Sequence, residues 1–479
     1  MAAFGIDFGT TTSGAVQLLA GQPQRYGDDE GNPLPSIVVI DRITGEAFGG
    51  RKAWNDRFEL EQHGNYYVVP SIKTLLSADR QWPTAERIWT TTDVAAFLFH
   101  ELNEQVRRSG LTTGITNATV AIPVGMPASS RRTLRQAAAQ AGIRIDSFIS
   151  ESTAAVFRYF GEYQHLHRVV VFDWGGGTLD VSVLEFGATG VFEVGLGGTL
   201  TAGNALDREI ALHLHARIMQ DRPRRLRFDD MDPHDQAQLV YRSEQVKQQL
   251  RRSSTIPLSM MRYGGEPVHL TVTRSELGPV LMPAVNEAIS LLETTIHRTG
   301  LAVDGVDAIL LVGGSSQLWL LQQRLSSDPR FMGRFRIADA PEWDVAHGAA
   351  LLDRNPGAFR LAETLGLRMS DGSSVDLVEP GARPSADWRS LSLVLTEDAS
   401  EANLMIDRRK VGDSCATTAL QFSTPSLGFM EEEIAFRYRL TDDLTLAVGA
   451  ESARLPAGAG AVREVDNLRF GYELTTVRA

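Results

Sequence analysis

Short apolar runs and amphipathic stretches alternate along the first three quarters of the chain. The apolar runs are rich in β-branched residues and end in turn residues, which is typical of buried strands. Apolar residues at helical spacing fill the stretches between them. Strands are predicted at residues 4–8, 37–40, 118–122, 169–173, 181–186 and 308–312, and helices at residues 130–141, 152–159, 243–251 and 277–298. This alternation predicts an α/β architecture.

The pattern changes after residues 355–357 (NPG), a cluster of breaker residues. Beyond them, apolar and polar residues alternate with a period of two. The alternation is clearest in residues 434–448, which contain the turn TDD at residues 441–443. It predicts an antiparallel hairpin with one buried face, and the remainder of the chain is predicted to be all-β. Residues 455–462 (LPAGAGAV) are predicted to form a loop.

Composition and charge narrow the choice of partners. Hydrophobic residues make up 43% and charged residues 22%, which is typical of a globular protein. A net charge of −12 disfavours nucleic acid as a partner, and the basic run at residues 222–227 is followed directly by acidic residues. The single Cys415 allows no disulfide within the chain. Because neither a leader peptide nor a long apolar run is visible, we expect a cytoplasmic protein that does not bind membranes.

A strand that ends in an aspartate and opens into a glycine-rich turn occurs twice. In GIDFGTTTS, residues 5–13, Asp7 precedes Gly9 and three threonines; in VVVFDWGGGTLD, residues 169–180, Asp173 precedes three glycines. Glycine lets backbone amides approach a phosphate, threonine hydroxyls donate to it, and a carboxylate can hold Mg²⁺ through bound water. Either loop alone is also compatible with a tight hairpin that binds nothing. Two of them predict two similar lobes that share one nucleotide.

A third glycine-rich turn, ILLVGGSS at residues 309–316, is a weaker signal of the same kind. In this order the three loops resemble the actin, sugar-kinase and heat-shock chaperone superfamily. Within it, the chain resembles the DnaK-type heat-shock chaperones of the seventy-kilodalton class over almost its whole length. Further matching pieces are LPSIVV, SIKTLL, VAIP, ESTAA, EQVKQQL and VAHGAALL. The resemblance implies a two-lobed, actin-like α/β ATPase domain, a smaller antiparallel all-β domain after it, and ATP, ADP and Mg²⁺ as ligands.

The resemblance assigns the phosphate chemistry to a few side chains. Asp7 and Asp173 would organise Mg²⁺ through water, and Lys73 would reach the γ-phosphate and offset its charge. Asp180 would lie near the attacking water, and Thr178 beside the phosphates. The wider nucleotide site would comprise Gly9, Thr10, Thr11, Thr12, Gly175, Gly176, Gly177, Thr178, Gly203, Glu244, Lys247, Arg251, Gly313, Gly314, Ser315, Gln317 and Glu342.

The resemblance also implies a relay from the nucleotide to the rest of the protein. Glu151 would act in catalysis and would connect the nucleotide to Pro123 and Arg131, which pass the nucleotide state outward in the family. Without the resemblance, Glu151 is an acidic residue favoured at a helix N-terminus, and Arg131 is a solvated helix residue.

Three site positions depart from the family pattern. Gln317 stands where the family carries an arginine that stacks on adenine, and this change removes about 1 kcal/mol of attraction. Arg251 stands in place of a serine, and Ser152 in place of a proline. We therefore expect an altered base pocket beside a complete set of phosphate-binding residues.

The resemblance divides the chain into an ATPase domain at residues 1–355, a linker at residues 356–363 and a β-sandwich-like substrate-binding domain at residues 364–479. The linker has fewer aliphatic residues than the leucine run of the family. The β segment matches best at residues 434–450, with weak identity. Because the sequence stops at Ala479, the helical lid of the family is predicted to be absent.

Three hypotheses about function follow. The leading one is a lidless, ATP-dependent stress-response chaperone whose β domain binds extended apolar peptides, loosely with ATP and tightly with ADP. A co-chaperone and a nucleotide exchange factor would be its further partners. The second is a nucleotide-gated scaffold with one dedicated protein partner. The third is an actin-like filament ATPase or a sugar kinase, against which the β segment and the helix around residues 244–247 stand.

Overall fold

The computed structural model describes residues 3–123, 125–163, 165–187, 190–223, 225–353, 359–394, 401–409, 416–423, 433–451 and 462–473. The chain divides into two compact units. The first comprises residues 1–124, 133–186 and 194–354, and the second comprises residues 125–132, 187–193 and 355–479. Among the described residues, no helix has both the length and the apolar character that crossing a bilayer requires.

The first unit begins with a six-stranded sheet. Its strands are Ala3–Phe8, Thr12–Leu19, Gln22–Tyr26, Leu34–Pro35, Asn117–Ile122 and Arg144–Ser150. Ala3–Phe8 runs parallel to Asn117–Ile122 on one side and antiparallel to Thr12–Leu19 on the other. The helix Asp344–Asp353 packs on it so closely that a Cβ on Gly5 would lie 2.1 Å from the carbonyl oxygen of Ala346. All residues of this strand are buried except Asp7, which is only partly covered.

A second sheet repeats this arrangement. Its strands in the first unit are Arg168–Trp174, Leu179–Phe186, Ala308–Val312, Phe335–Ile337 and the part of Gly190–Thr199 that follows Glu193. Arg168–Trp174 runs antiparallel to Leu179–Phe186 and parallel to Ala308–Val312. Both sheets therefore place a hairpin partner on one side of a buried central strand and a parallel strand on the other, as two similar lobes require.

Helices and small sheets complete the first unit. Its described helices are Gly50–Gln62, Thr91–Arg108, Glu151–Arg158, Phe160–Tyr163, Gly203–Gln220, Pro233–Gln249, Arg274–His297, Trp319–Ser327 and Asp344–Asp353, with 3₁₀ turns at Lys73–Leu75, Phe228–Asp230, Val303–Gly305 and Gly314–Gln317. The small sheets pair Val38–Asp41 with Ala47–Gly49 and Tyr66–Val69, Gln81–Pro83 with Ile88–Thr90, and Thr255–Tyr263 with Glu266–Thr273. The helix Ala128–Gln140 begins in the second unit and ends in the first.

Local signals explain where two helices of the site begin. Ser150 accepts a hydrogen bond from the backbone N–H of Thr153, and this cap starts Glu151–Arg158 with an acidic residue in its first turn. Asp232 accepts from the N–H of His234, and the next residue is a proline at the first position of Pro233–Gln249.

The described elements of the second unit from residue 359 onward are strands. One four-stranded antiparallel sheet has the order Ser374–Val378, Thr364–Arg368, Glu401–Arg409, Ala416–Ser423, and another has the order Arg389–Val394, Glu433–Leu440, Leu446–Glu451, Arg463–Val465. A single apolar core that includes Leu365, Leu404, Phe422 and Phe436 draws on both sheets. Phe359–Leu361 and Phe470–Glu473 pair with each other, and Phe470–Glu473 also pairs with residues 190–192.

A buried carboxylate holds the chain directly after Phe359–Leu361. Glu363 is 3% exposed and accepts a hydrogen bond of 2.9 Å from the Arg408 guanidinium. It also accepts one of 2.9 Å from the backbone N–H of Arg469. Residues 359–363 are therefore fixed within the second unit, as a paired strand followed by a buried ion pair.

Most predicted elements are present, with ends displaced by at most three residues. The exception is the helix expected at residues 243–251, which is the last part of Pro233–Gln249 and begins ten residues earlier because of its Asp-Pro start. Cys415, the breaker cluster at residues 355–357 and all of residues 455–462 except Val462 lie outside the described residues.

Candidate functional site

The two aspartate loops of the first unit are tight turns between antiparallel strands, and they face each other. The first joins Ala3–Phe8 to Thr12–Leu19, and the second joins Arg168–Trp174 to Leu179–Phe186. A Cβ built on Gly176 would lie 2.4 Å from the hydroxyl of Thr11, and one on Gly177 would lie 2.7 Å from the methyl group of Thr10. Side chains at these two glycines would force the loops apart, so the close approach explains why the second loop carries a glycine run.

A cavity of about 590 Å³ opens at the point where the two loops meet. This volume lies within the range of about 300–1,000 Å³ that small-molecule sites occupy. The predicted site residues that line it are Asp7, Gly9, Thr10, Thr11, Thr12, Lys73, Glu151, Asp173, Gly175, Gly176, Gly177, Thr178, Glu244, Lys247, Arg251, Gly313, Gly314, Ser315 and Glu342.

Buried carboxylates gather beneath the loops. Burial, with the neighbouring charge of Glu151, raises the pKa of Asp7 to about 7 and that of Asp180 to about 6. Burial and the charges of Glu151 and Asp180 raise the pKa of Asp173 well above its ordinary value. Carboxyl groups with such raised pKa values lack enough positive charge around them.

Lys73 is the cation within this group. Its ammonium donates to the Oε1 atom of Glu151, and its side chain is 7% exposed. Burial acts to lower the pKa of Lys73, but the charges of Glu151 and Asp7 outweigh burial and raise it. Lys73 therefore stays protonated, and Glu151 holds its ammonium within this cluster of buried carboxylates.

One lysine does not balance four carboxylates, so the donor set suits a divalent cation. Among the described residues, no group of three or more His, Cys, Asp and Glu side chains is arranged to coordinate a metal directly. A hydrated Mg²⁺ fits this arrangement because it keeps several waters and needs only one or two carboxylates. Asp7 and Asp173, which line the cavity beside the phosphate loops, are the residues that would hold it.

A helix begins directly below the second loop. The backbone N–H groups of Gly203 and Asn204 donate to the carbonyl oxygens of Gly175 and Gly176, at 3.1 and 2.8 Å. The ammonium of Lys247 donates to the carbonyl oxygen of Gly203 at 2.9 Å. It also pairs with Asp207, in the first turns of the same helix, at 2.8 Å. Gly203 thus supports the loop from below, and Lys247 ties Pro233–Gln249 to that support.

The third glycine-rich turn closes the cavity beside the second loop. Gly313 has a φ of +80°, and a Cβ there would lie 2.5 Å from a carboxylate oxygen of Asp173 and 2.6 Å from the carbonyl oxygen of Trp174. Both the backbone conformation and the space therefore require glycine. Ser315 donates to the carbonyl oxygen of Gly175 at 2.9 Å, which fixes the third turn against the second loop.

Comparison with known proteins now decides the family. The model of the family described as Hsp70 protein matches residues 32–353, about two thirds of the chain. The chain belongs to the Hsp70 family. Members of this family are ATPases that bind ATP and ADP with Mg²⁺, and their ATPase domain has an actin-like, two-lobed α/β fold. The predicted fold class is therefore confirmed for the matched residues, whereas the loop around Asp7 precedes them.

The chain is also similar to a curated protein. The chain is 28% identical over 365 residues to the protein named Chaperone protein DnaK from Methanothermobacter thermautotrophicus. The aligned residues cover 72% of this chain but 58% of the relative, so the chain matches less than two thirds of that protein's length.

The two residues of the predicted base pocket that depart from the family pattern, Arg251 and Gln317, contact each other. Arg251 donates from Nη1 to the side-chain oxygen of Gln317 at 3.0 Å, and its Nη2 donates to the carbonyl oxygen of Gly314. Gln317 supports Arg251 and does not line the cavity itself. Gln317, which stands where the family pattern has an arginine, thus holds Arg251, which stands where that pattern has a serine. The two departures are therefore coupled.

Of the three predicted relay residues, only Glu151 lines the cavity, where it pairs with Lys73. Pro123 directly follows the strand Asn117–Ile122 in the first unit and does not line the cavity. Arg131 belongs to the second unit, is 4% exposed, and donates to Asp466 at 2.5 Å and to the carbonyl oxygen of Asp443 at 2.7 Å. Arg131 is thus a buried, paired cation and not a solvated residue.

Several residues that line the cavity were not predicted from the sequence. They are Glu30, Asn32, Arg51, Trp54, Asn55, Asn204, Asp207, Tyr241, Gln245 and Gln248. Asp207 could have been found from its spacing, because it lies one helical turn after Gly203 on the face that carries the loop support. Trp54 and Tyr241 come from different helices, and only the tertiary fold brings them to one cavity.

Proposed function

We propose that this protein is a Mg²⁺-dependent ATPase in which water attacks the γ-phosphate of ATP, and that it works as a chaperone-like protein. The proposal rests on the contact between the two aspartate loops and on the cluster of buried carboxylates around Lys73. Together they supply phosphate donors, a protonated lysine and cation-binding carboxylates at one wall of the same cavity.

The side chains have distinct proposed roles. The backbone amides and hydroxyls of residues 9–12 and 175–178 bind the phosphates, and Lys73 offsets the charge of the transferred group. Asp180, with its pKa raised to about 6, orients the attacking water and accepts its proton. Glu151 positions the ammonium of Lys73. Mg²⁺, when bound, neutralises part of the triphosphate charge.

Single-turnover hydrolysis of Mg-ATP tests the proposal. Removing a positioned charge donor costs about 10²–10³ in rate, so Lys73→Ala should slow the chemical step by that factor. Lys52→Ala is the matched control because Lys52 is exposed on Gly50–Gln62 and does not line the cavity. If the wild-type protein neither binds nor hydrolyses ATP, or if Lys73→Ala hydrolyses at the wild-type rate, the proposal fails.

We also propose residues 1–355 as the ATPase domain, 356–363 as the linker and 364–479 as a β-sandwich-like domain that binds an extended apolar peptide. Nucleotide state would change the affinity for this peptide, with a co-chaperone and an exchange factor as further partners in the cytoplasm. Equilibrium binding of a panel of unfolded polypeptides, with ATP and with ADP, tests this role. Broad binding that weakens with ATP supports it, and the absence of any nucleotide effect counts against it.

One observation favours a second candidate, a nucleotide-gated scaffold with a single dedicated partner. Residues 359–361 form a paired strand, and the buried Glu363 fixes the chain just after it. A segment held in this way is poorly suited to switch between docked and released states. Affinity purification from the native host distinguishes the two, because a scaffold should recover one stoichiometric partner and no broad set of unfolded clients.

A further inference from the structure

The nucleoside end of the cavity can be located from the contacts of Arg251. Arg251 donates to the carbonyl oxygen of Gly314, and the next residue, Ser315, donates to that of Gly175 in the second loop. Arg251 therefore contacts the third glycine-rich turn beside the residue that contacts the second loop, and it lines the same cavity. A nucleotide whose phosphates lie on the two aspartate loops would have its base near this third turn and Arg251.

The guanidinium of Arg251 is held in place by two hydrogen bonds and has further N–H donors. Two of its five N–H groups donate to Gln317 and Gly314, which fixes the plane of the group. Among the residues that the structure describes, the other N–H groups have no hydrogen-bond partner. The group is half-buried and, as an arginine, stays charged. It therefore presents hydrogen-bond donors, and no acceptor, to whatever occupies this end.

The lining of the cavity also contains an acceptor. Glu342 lines the cavity, and its negative charge acts to raise the pKa of the Arg251 guanidinium, although burial has the larger effect and lowers that pKa. In the described part of the chain the two groups do not form an ion pair within 4.0 Å. A guanidinium and a carboxylate thus line one cavity without pairing with each other, so they offer a ligand hydrogen-bond donors from one side chain and acceptors from the other.

We propose that this pair opens the site to guanine nucleotides, so that the protein binds and hydrolyses GTP as well as ATP. The N7 and O6 atoms of guanine are two adjacent acceptors that match an arginine fork. Its N1–H and N2 amino group are donors for the Glu342 carboxylate. Adenine offers Arg251 only N7, and places its amino group, a donor, beside the guanidinium. The inference rests on the proposed nucleotide site and concerns which base that site accepts.

Equilibrium binding of Mg-GDP and Mg-ADP to the full chain, measured by isothermal titration calorimetry, tests the inference. Wild type should bind GDP at least as tightly as ADP. Arg251→Ser should weaken GDP binding about tenfold and leave ADP binding equal or tighter. Arg252→Ser is the matched control, because Arg252 is exposed and does not line the cavity. Inosine diphosphate, which keeps N7, O6 and N1–H but lacks the N2 amino group, should follow GDP in its dependence on Arg251.

The outcomes separate the two proposals. If ADP binds but GDP binds more than tenfold more weakly, the inference is wrong and the proposed ATPase stands. The same holds if Arg251→Ser leaves the ratio of the two affinities unchanged. If neither nucleotide binds, both the proposed function and the inference are wrong. Melting curves of Arg251→Ser and Arg252→Ser in the absence of nucleotide exclude a general folding defect.

Discussion

The buried pair of Lys247 and Asp207 offers a sharp test of how the site is held. Nζ of Lys247 lies 2.8 Å from the carboxylate, and the two side chains are 9% and 6% exposed. Burial raises the pKa of Asp207 to about 6 although Lys247 acts to lower it. Replacing Lys247 with methionine keeps the apolar stem and removes the charge. It leaves Asp207 buried without its cation and the carbonyl oxygen of Gly203 without that donor.

Two estimates set the expected loss of stability. Breaking one side of a buried ion pair costs about 3–5 kcal/mol. Proton uptake limits this penalty, because protonating an ordinary aspartate at pH 7 costs about 4 kcal/mol. We therefore expect Lys247→Met to lower the free energy of unfolding by about 3–4 kcal/mol. For the first unit, about 340 residues long, this corresponds to a fall in melting temperature of about 5 °C.

The pH dependence of this loss makes the assay decisive. A carboxylate with a raised native pKa destabilises the fold above that pKa, and the penalty fades as pH falls toward its ordinary value. The difference in melting temperature between wild type and Lys247→Met should therefore shrink when the pH is lowered from 7 to 5. Differential scanning fluorimetry at both pH values measures it, with the exposed Lys52→Met as the control.

Two further results complete this test. Asp207→Leu combined with Lys247→Met should recover most of the lost stability, because no buried charge remains. A loss under about 1 kcal/mol at pH 7, or one that grows as the pH falls, would refute the reasoning.

Three further predictions concern other parts of the chain. Arg408→Met leaves Glu363 buried without its guanidinium and should lower the melting temperature of the second unit by several degrees; an unchanged value in a pH 7 scan would contradict the buried-pair interpretation. Burial and nearby arginines lower the pKa of His347 to about 4, so the native state loses stability as the pH falls from about 6.5 to 4. His347→Gln should remove about 2 kcal/mol of that loss at pH 5, whereas the control His297→Gln, at an exposed position, should not. Gly313→Ala, which forces a Cβ into the backbone of the second loop, should weaken Mg-ADP binding at least tenfold in calorimetry, and near wild-type affinity would show that the loop adjusts.

The sequence was informative where a short segment contains several residues of the predicted site. The two aspartate loops could be placed at one cavity because together they repeat a strand end followed by glycine and threonine residues. The third glycine turn was a weaker signal of the same kind, and Lys73 was assigned through the family resemblance. Secondary structure could also be predicted from short segments. A buried central strand such as Ala308–Val312 is a continuous apolar run, which the sequence shows directly.

Tertiary partnerships could not be predicted in this way. Nothing in the sequence indicates that Arg131 pairs with Asp466, because their contact spans more than 300 positions. The start of Pro233–Gln249 was missed because its first half is polar and lacks a clear apolar stripe, although Asp232 and Pro233 mark it. Likewise, the sequence predicted that Gln317 is a lost base contact, whereas in the structure Gln317 supports Arg251.

The two ends of the cavity differ in their electrostatics. At the proposed phosphate end, Asp7, Asp173 and Asp180 have raised pKa values that a single lysine does not correct, and such clusters of raised pKa values are common at functional sites. At the proposed nucleoside end, Arg251 has its own partners in Gln317 and Gly314, so its charge is accommodated without a ligand. If the proposed function holds, base recognition can therefore change while the phosphate-binding residues stay the same.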